Sequence, residues 1–421
     1  MPPRLRRAAR PVALAALLAV SVAGCSGGTG AHTAGPTDPP ATSAAGPTPA
    51  AASHGPDAGP FTDPPTDPPP SPAAPSQLAT LPGMPPLLDP HNVYAADTAG
   101  NLAPAVKGAL SRVYVPNGIS GTVSVIDPLT YRVVKTLKVG KLPQHVVPSW
   151  DLKTLWVTDD LSNDLKAIDP RTATITRTVP VDDPYNLYFT PDGKAAMVMA
   201  EARRRIDFRN PQTMALETPL SVGCKGVDHG DFTADGRFFV ASCEFAGEMV
   251  VVDVAKRKVD GYIQLGSSRY APQDVKLSPD GNTFYVADMK ANGVWRINAH
   301  SFKLTGLLPT GKGAHGLYVS RDFKTMYVTN RDEGSVGLID LANGTLADTW
   351  QIGNAASPDM GNLNAAGTVL WLSGRYNADV YAIDTSTGRL IAKINTGVGP
   401  HGVCVWPQPG RYSLGHTGIL R

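Results

Sequence analysis

The sequence predicts an all-β fold: a seven-bladed β-propeller closed by a composite blade and preceded by a disordered linker. Three observations predict it. A turn-forming pair recurs seven times, from Pro143-Gln144 to Pro400-His401, with intervals of 41 to 45 residues. A full unit of this period carries four short strand-like runs separated by polar turns, which is the pattern of a propeller blade. The first unit, Arg112 to Gly140, lacks its first run, and Pro400 to Trp406 supplies a lone first run at the other end. The two parts are expected to form one blade and leave no open sheet edge.

The elements before the repeats come first. Arg4, Arg6, Arg7 and Arg10 precede an apolar run from Val12 to Val20 that continues past Ser21 to Ala23. The run is too short for a permanent membrane span and reads as a signal peptide over residues 1–24. Its end, Val22-Ala23-Gly24-Cys25, resembles the lipobox of bacterial lipoproteins. That resemblance implies acylation of Cys25 and an anchor in the cell membrane on its extracytoplasmic face. An ordinary signal peptide with a chance cysteine is the bland alternative.

From Ser26 to Pro85 there are 16 prolines, four Asp and no Lys, Arg or Glu. Such a composition cannot bury enough apolar surface to offset chain entropy. Residues 25–85 are therefore expected to be a disordered stalk, reaching at most about 190 Å if fully extended. The whole chain has 421 residues, 42% apolar and 18% charged. That suffices for a large core over residues 86–421. Removing the four leader arginines from the 38 Lys+Arg leaves 34 against 36 Asp+Glu. This balance argues against a nucleic-acid partner. Nothing in the composition demands an oligomer, so a monomer is expected.

Within the repeats, Thr190-Pro191-Asp192-Gly193 and Ser278-Pro279-Asp280-Gly281 mark the hairpin between first and second strands. Second, third and fourth strands are clearest at Met326–Asn330, Val336–Asp340 and Thr349–Gly353. Asp127, Asp169, Asp253, Asp340 and Asp384 each precede a turn and are expected to cap it. Residues Leu87 to Gly108 and the tail after Trp406 have enough apolar character to pack on the propeller.

Met326 to Asn330 reads MYVTN. The unit around it resembles the YVTN-type seven-bladed propeller repeat of bacterial surface and periplasmic proteins. Relatives of such propellers include sugar lactonases and the haem-binding, cytochrome d1-like propeller of nitrite reductase. The resemblance implies the fold; redox or hydrolytic chemistry follows from it only by analogy.

In this architecture the first positions of the inner strands and the loops between second and third strands share one face of the central channel. The expected ligand-binding residues there are His145, Asp228, His229, Asp274, His315, Arg331, Asp359, Arg375, Tyr376 and His401. Four of these, His145, His229, His315 and His401, come from four blades and could ring the channel as metal ligands. The plain alternative is that each imidazole merely bonds a neighbouring backbone group. No HxxxH or CxxC spacing selects a metal.

Cys224 and Cys243 map about one strand apart on the same face, so a disulfide is the expected pairing in a secreted chain. A soft metal site with His229 and Asp228 is the other reading. Cys404, between Val403 and Val405, is expected to be a buried thiol. Blade 3 is unusual: Arg203, Arg204 and Arg205 occupy its second loop, and Arg209 stands where other blades have Ile126, Ile168 or Ile339. The arginines either await an anionic partner or pair with nearby acids such as Asp159, Asp160 and Glu201.

Two functional readings follow. The first is a binding or scaffold module without catalysis or cofactor, recognising a protein, glycan or small molecule through the channel face. The second is a copper- or haem-dependent oxidoreductase using the channel histidines. No nucleophile-base motif supports the lactonase analogy.

Overall fold

The computed structural model describes residues 80–421, apart from residues 354 and 417. The leader, the expected acylation site Cys25 and the stalk up to residue 79 lie outside the described residues.

Seven antiparallel sheets form the predicted propeller. Blade 1 is the composite: Cys404–Trp406 lies beside Arg112–Asn117, followed by Thr122–Asp127 and Arg132–Lys138. The closing register pairs Arg112 with Trp406, Val113 with Val405 and Tyr114 with Cys404. Blades 2 to 7 occupy residues 143–180, 186–221, 227–264, 272–309, 314–351 and 358–395. The seam is also closed by burial. Val113, Val115, Val403 and Val405 of blade 1 pack with Trp371, Val380 and Ala382 of blade 7. Each such side chain contributes about 1.5–3 kcal/mol when fully buried.

Burial falls from the axis outward, and the sequence follows it. The inner strand Pro143–Pro148 is buried at every position, whereas the outer strand Arg132–Lys138 buries only Leu137. Strands covered on both faces need no polar alternation, while outer strands keep it. The aspartates before turns act as expected. Asp127, Asp169, Asp340 and Asp384 accept from the backbone N–H two residues on, at 2.8–2.9 Å, and Asp253 accepts from that of Lys256 at 2.9 Å.

Two further segments pack at the end of the channel opposite the loop face. Residues 81–110 run over the hairpin turns: Leu81 N–H donates to Asp235 O, Val93 N–H to Pro279 O and Gly100 N–H to Ala365 O. The packing thus reaches back to Leu81, which is buried with Phe232 and Phe239. The tail does more than cover a rim. Ser413–Gly415 adds to the inner edge of blade 3 beside Asn186–Phe189, and Ile419–Leu420 pairs with it, giving that sheet six strands. The Arg421 guanidinium is buried, donating to Asp231 at 3.1 Å and lying 4.6 Å from the Tyr94 ring centroid.

Cys224 and Cys243 form the expected disulfide, with S–S 2.03 Å and Cα–Cα 5.8 Å. Their sulfurs are bonded to each other, so the thiolate metal site falls away. Cys404 is a buried free thiol, and burial pushes its pKa up.

Candidate functional site

The channel face is built by a repeated irregularity. In blade 2 the register runs from Pro143↔Asp159 to Val146↔Val157, three steps against two. The same extra residue occurs in blades 4, 5, 6 and 7. A β-bulge bends its strand and re-aims its side chains, so two successive positions serve the channel. The ladder bonds lost at the bulge are replaced by a hydroxyl from the second strand. Thr158 Oγ1 accepts from His145 N–H at 3.0 Å and donates to Tyr185 O at 3.1 Å. Thr329 serves blade 6 in the same way, accepting from Gly316 N–H and donating to Asp359 O of the next blade, whereas Ser242 and Ser373 accept from and donate to the same bulge residue, His229 and Met360. Thr329 is the threonine of the YVTN run.

Three of the four expected histidines meet. His145, His229 and His401 are buried, and each offers a ring nitrogen within 4.8 Å of the others. His145 lies 4.9 Å from His401 and 5.5 Å from His229, centroid to centroid. The backbone makes room for them: a Cβ at Gly402 would sit 2.2 Å from His145 Cδ2. His145 Nδ1 lies 2.9 Å from Tyr185 O and must donate to it, which leaves Nε2 as a lone pair with no partner. His401 Nδ1 lies 2.7 Å from Asp359 Oδ2, so its Nε2 is likewise unprotonated, 3.5 Å from the Tyr185 hydroxyl. His229 Nε2 has no hydrogen-bond partner, and its Nδ1 lies 3.5 Å from Asp228 Oδ2. Burial lowers the pKa of all three, that of His401 to about 3. They are neutral imidazoles at physiological pH.

His315 stands apart from this triad. Its Nδ1 is 3.2 Å from Asp359 Oδ1, and its ring is 5.9 Å from His401. A fifth histidine, His416, enters from the tail and packs 5.3 Å from His145 and 5.0 Å from His229. Both its nitrogens face protein groups, Asn186 Nδ2 at 3.1 Å and Asp274 Oδ1 at 3.4 Å. It therefore backs the cluster rather than offering a free lone pair. Its tail position follows no repeat, and only its Gly-His-Thr-Gly setting marks it.

The remaining candidates divide into braces and open groups. Asp274 accepts from Leu317 N–H of the next blade at 2.9 Å. Burial would raise its pKa, but His416 and Lys276 outweigh this and hold it at about 2. Asp359 accepts from Arg331 Nε at 2.9 Å as well as facing His315 and His401. Burial opposes its charge, but Arg331 and the two histidines hold the carboxyl well below the usual range. Arg331 is itself buried, and Tyr376 is exposed with its ring centroid 5.8 Å from that guanidinium. Asp228 has Ser242 and the His229 N–H on Oδ1, but no hydrogen bond on Oδ2, and burial pushes it well up.

A rule links the two rims. The first residue after the second strand lies against the channel position of the following blade. Arg331 bonds Asp359; Glu244 bonds Gln273, and the charge of Asp228 opposes that of Glu201. Arg375 acts on His401, and its backbone N–H is anchored on Ser357 O at 3.0 Å. Acids thus occupy the loops of blades 3 and 4, and guanidiniums those of blades 6 and 7. Burial, with Asp228 and one another as neighbours, pushes Glu201 up to about 9 and Glu244 to about 7.

Arg203, Arg205 and Arg209 of blade 3 pair with acids, though not with the expected ones. Arg203 and Arg205 bond Asp182 and Asp207, while Arg209 donates to Asp207 at 2.9 Å and to Met214 O at 3.0 Å. Asp159 instead pairs with Lys166 at 3.0 Å.

Solved structures share this fold at low identity. Kuenenia stuttgartiensis hydrazine synthase aligns with a TM-score of 0.57 and 18% identity, over 69% of this chain and 98% of that one. A functionally unknown protein from Desulfotomaculum acetoxidans aligns at 0.58 and 16%, over 69% and 99%. The dihydro-heme d1 dehydrogenase NirN aligns at 0.55 and 11%, over 70% and 75%. No curated protein matches the sequence. Residues 76–409 match the family described as YNCE-like beta-propeller, and this chain belongs to that family.

Proposed function

We propose that the protein is a lipid-anchored, extracytoplasmic propeller that holds one transition-metal ion on His145, His229 and His401. The observation that carries this reading is the set of buried lone pairs: three neutral imidazoles converge, with unpartnered nitrogens on His145 and His229. An orphaned buried polar atom costs about 1–3 kcal/mol. Paying that at one place is reasonable where a ligand restores the bonds. The outer nitrogens follow the pattern of ligating histidines, one donating to a carbonyl and one to a carboxylate. Imidazole ligands suit copper or zinc, and three protein ligands leave a coordination position for exchange. Ring centroids 4.9–5.5 Å apart leave room for an ion but not for a haem macrocycle between them.

The test is metal analysis of the protein purified from an oxidising compartment without chelator. About one copper or zinc per chain is expected, lost in His229→Ala and His401→Ala variants that keep the wild-type circular dichroism. A metal-free wild type that also fails to take up added copper or zinc would sink the reading.

A specific observation supports the binding-module reading beside it. Ile119, Leu161, Phe245 and Tyr376 are each at least 60% exposed, and all stand in loops between second and third strands. Apolar side chains spread round a polar mouth suit a protein partner docking over it. Replacing Phe245 and Tyr376 with Ser would then abolish capture of that partner without changing metal content.

A further inference from the structure

The loop rule leaves one residue of the mouth unanswered. Arg331, first after the second strand of blade 6, finds the Asp359 carboxylate in the following blade. Arg375, its equivalent in blade 7, finds His401, an imidazole kept neutral. Among the described residues the Arg375 guanidinium has no hydrogen bond and no ion pair. Its loop is nevertheless pinned, since the N–H groups of Arg375 and Tyr376 donate to the O and Oγ of Ser357 at 3.0 and 2.9 Å. The loop that carries this cation therefore stands on a fixed base at the blade 7 side of the mouth.

We propose that a small exogenous anion, a monocarboxylate or a similar monovalent ion, occupies the open position of the metal and is clamped by the Arg375 guanidinium and the Tyr185 hydroxyl. This rests on the metal reading above. Three neutral imidazoles bring no charge to a divalent ion, and the nearby ionised carboxylates are already engaged, Asp359 by Arg331 and Asp274 by Leu317 N–H and His416. In a buried site an anion on the metal relieves that imbalance. The tail packs beside the inner strand of blade 3 at the far end, and the anion enters from the loop face, where Arg375 stands. Tyr185 is suitably placed: its hydroxyl is 3.5 Å from His401 Nε2, and its ring is 5.4 and 5.8 Å from those of His145 and His229. A guanidinium offers paired donors in a fixed fork, the geometry a carboxylate accepts best.

The experiment titrates the copper(II)-loaded protein with azide and with formate, following visible absorption and electron paramagnetic resonance. Both anions are expected to perturb the copper spectrum. Arg375→Gln should weaken azide by about tenfold and Tyr185→Phe by about threefold, with copper content unchanged in each. Three results would overturn the proposal: a copper spectrum that excess azide does not move, equal azide affinity in wild type and Arg375→Gln, or equally tight binding to metal-free protein measured by calorimetry. Failure of wild type to hold copper or zinc at all would instead sink the metal reading on which it rests.

Discussion

Asp228 and Asp359 occupy the same position in their blades, and both are fully buried, yet the channel treats them oppositely. Asp359 meets Arg331, His315 and His401 and is held ionised. Asp228 has the acid Glu201 in the equivalent loop instead of a cation, its Oδ2 faces His229 Nδ1 at 3.5 Å, and burial pushes it toward neutrality. The difference lies in one residue of the preceding loop, arginine in one case and glutamate in the other. A propeller can thus make one wall of its channel rigid through satisfied charge and leave the other wall with groups in want of a ligand.

The largest test of this contrast is a pair of substitutions at the equivalent positions. Asp359→Ala strands a buried guanidinium and should cost about 3–5 kcal/mol in urea unfolding. Asp228→Asn, which preserves the acceptor used by Ser242 and by the His229 N–H, should fall within about 1 kcal/mol of wild type. Equal losses at the two sites would break the comparison.

Next comes what braces the unsatisfied wall. Cys243 immediately precedes Glu244, and its disulfide with Cys224 closes a loop of sequence separation 19. The Cys224→Ala, Cys243→Ala double variant should lose about 3 kcal/mol relative to the oxidised protein. A smaller effect is expected at His229. In metal-free protein His229→Leu removes one unpartnered buried nitrogen and one that faces Asp228, so stability should stay within about 1 kcal/mol of wild type while metal uptake is abolished.

The pH dependence of Glu201 sharpens the contrast further. Its pKa is raised to about 9 from an ordinary 4.5, so the folded chain keeps a proton that the unfolded chain releases. Its contribution is fully present below pH 4.5 and is lost as pH rises toward 9. Glu201→Gln should therefore gain on wild type as pH rises through that window; parallel curves would refute the assignment. The smallest effect is expected at Arg203, whose exposed pair with Asp182 should leave the unfolding midpoint unmoved on substitution by Ala.

Much of the fold was legible because period carries it. The seven recurrences locate the inner strands, and the incomplete first unit gives the closure at Cys404–Trp406. The position of the candidate site was also readable, since His145, His229 and His401 stand at the starts of inner strands. Which histidines converge was not readable. His145 and His229 stand one residue later than His315, a distinction the bulges create, but His401 shares the column of His315 and still joins the triad, so no column separates the histidines that meet from the one that does not. His416 escaped the repeat because the tail has none. The partners of Arg203 and Arg205 were misjudged for a similar reason: Asp182 lies in the connection between blades, outside any repeated column.

The loop rule has a consequence for how such a ring could be rearranged. Blades 3, 4, 6 and 7 carry a charged residue addressed to the neighbour, so the repeats are alike in outline but not interchangeable. Transposing two of them would keep every strand register while setting Arg331 against the wrong addressee. The order of blades around the axis is thus written twice, once in the chain and once in the charges that adjacent units exchange.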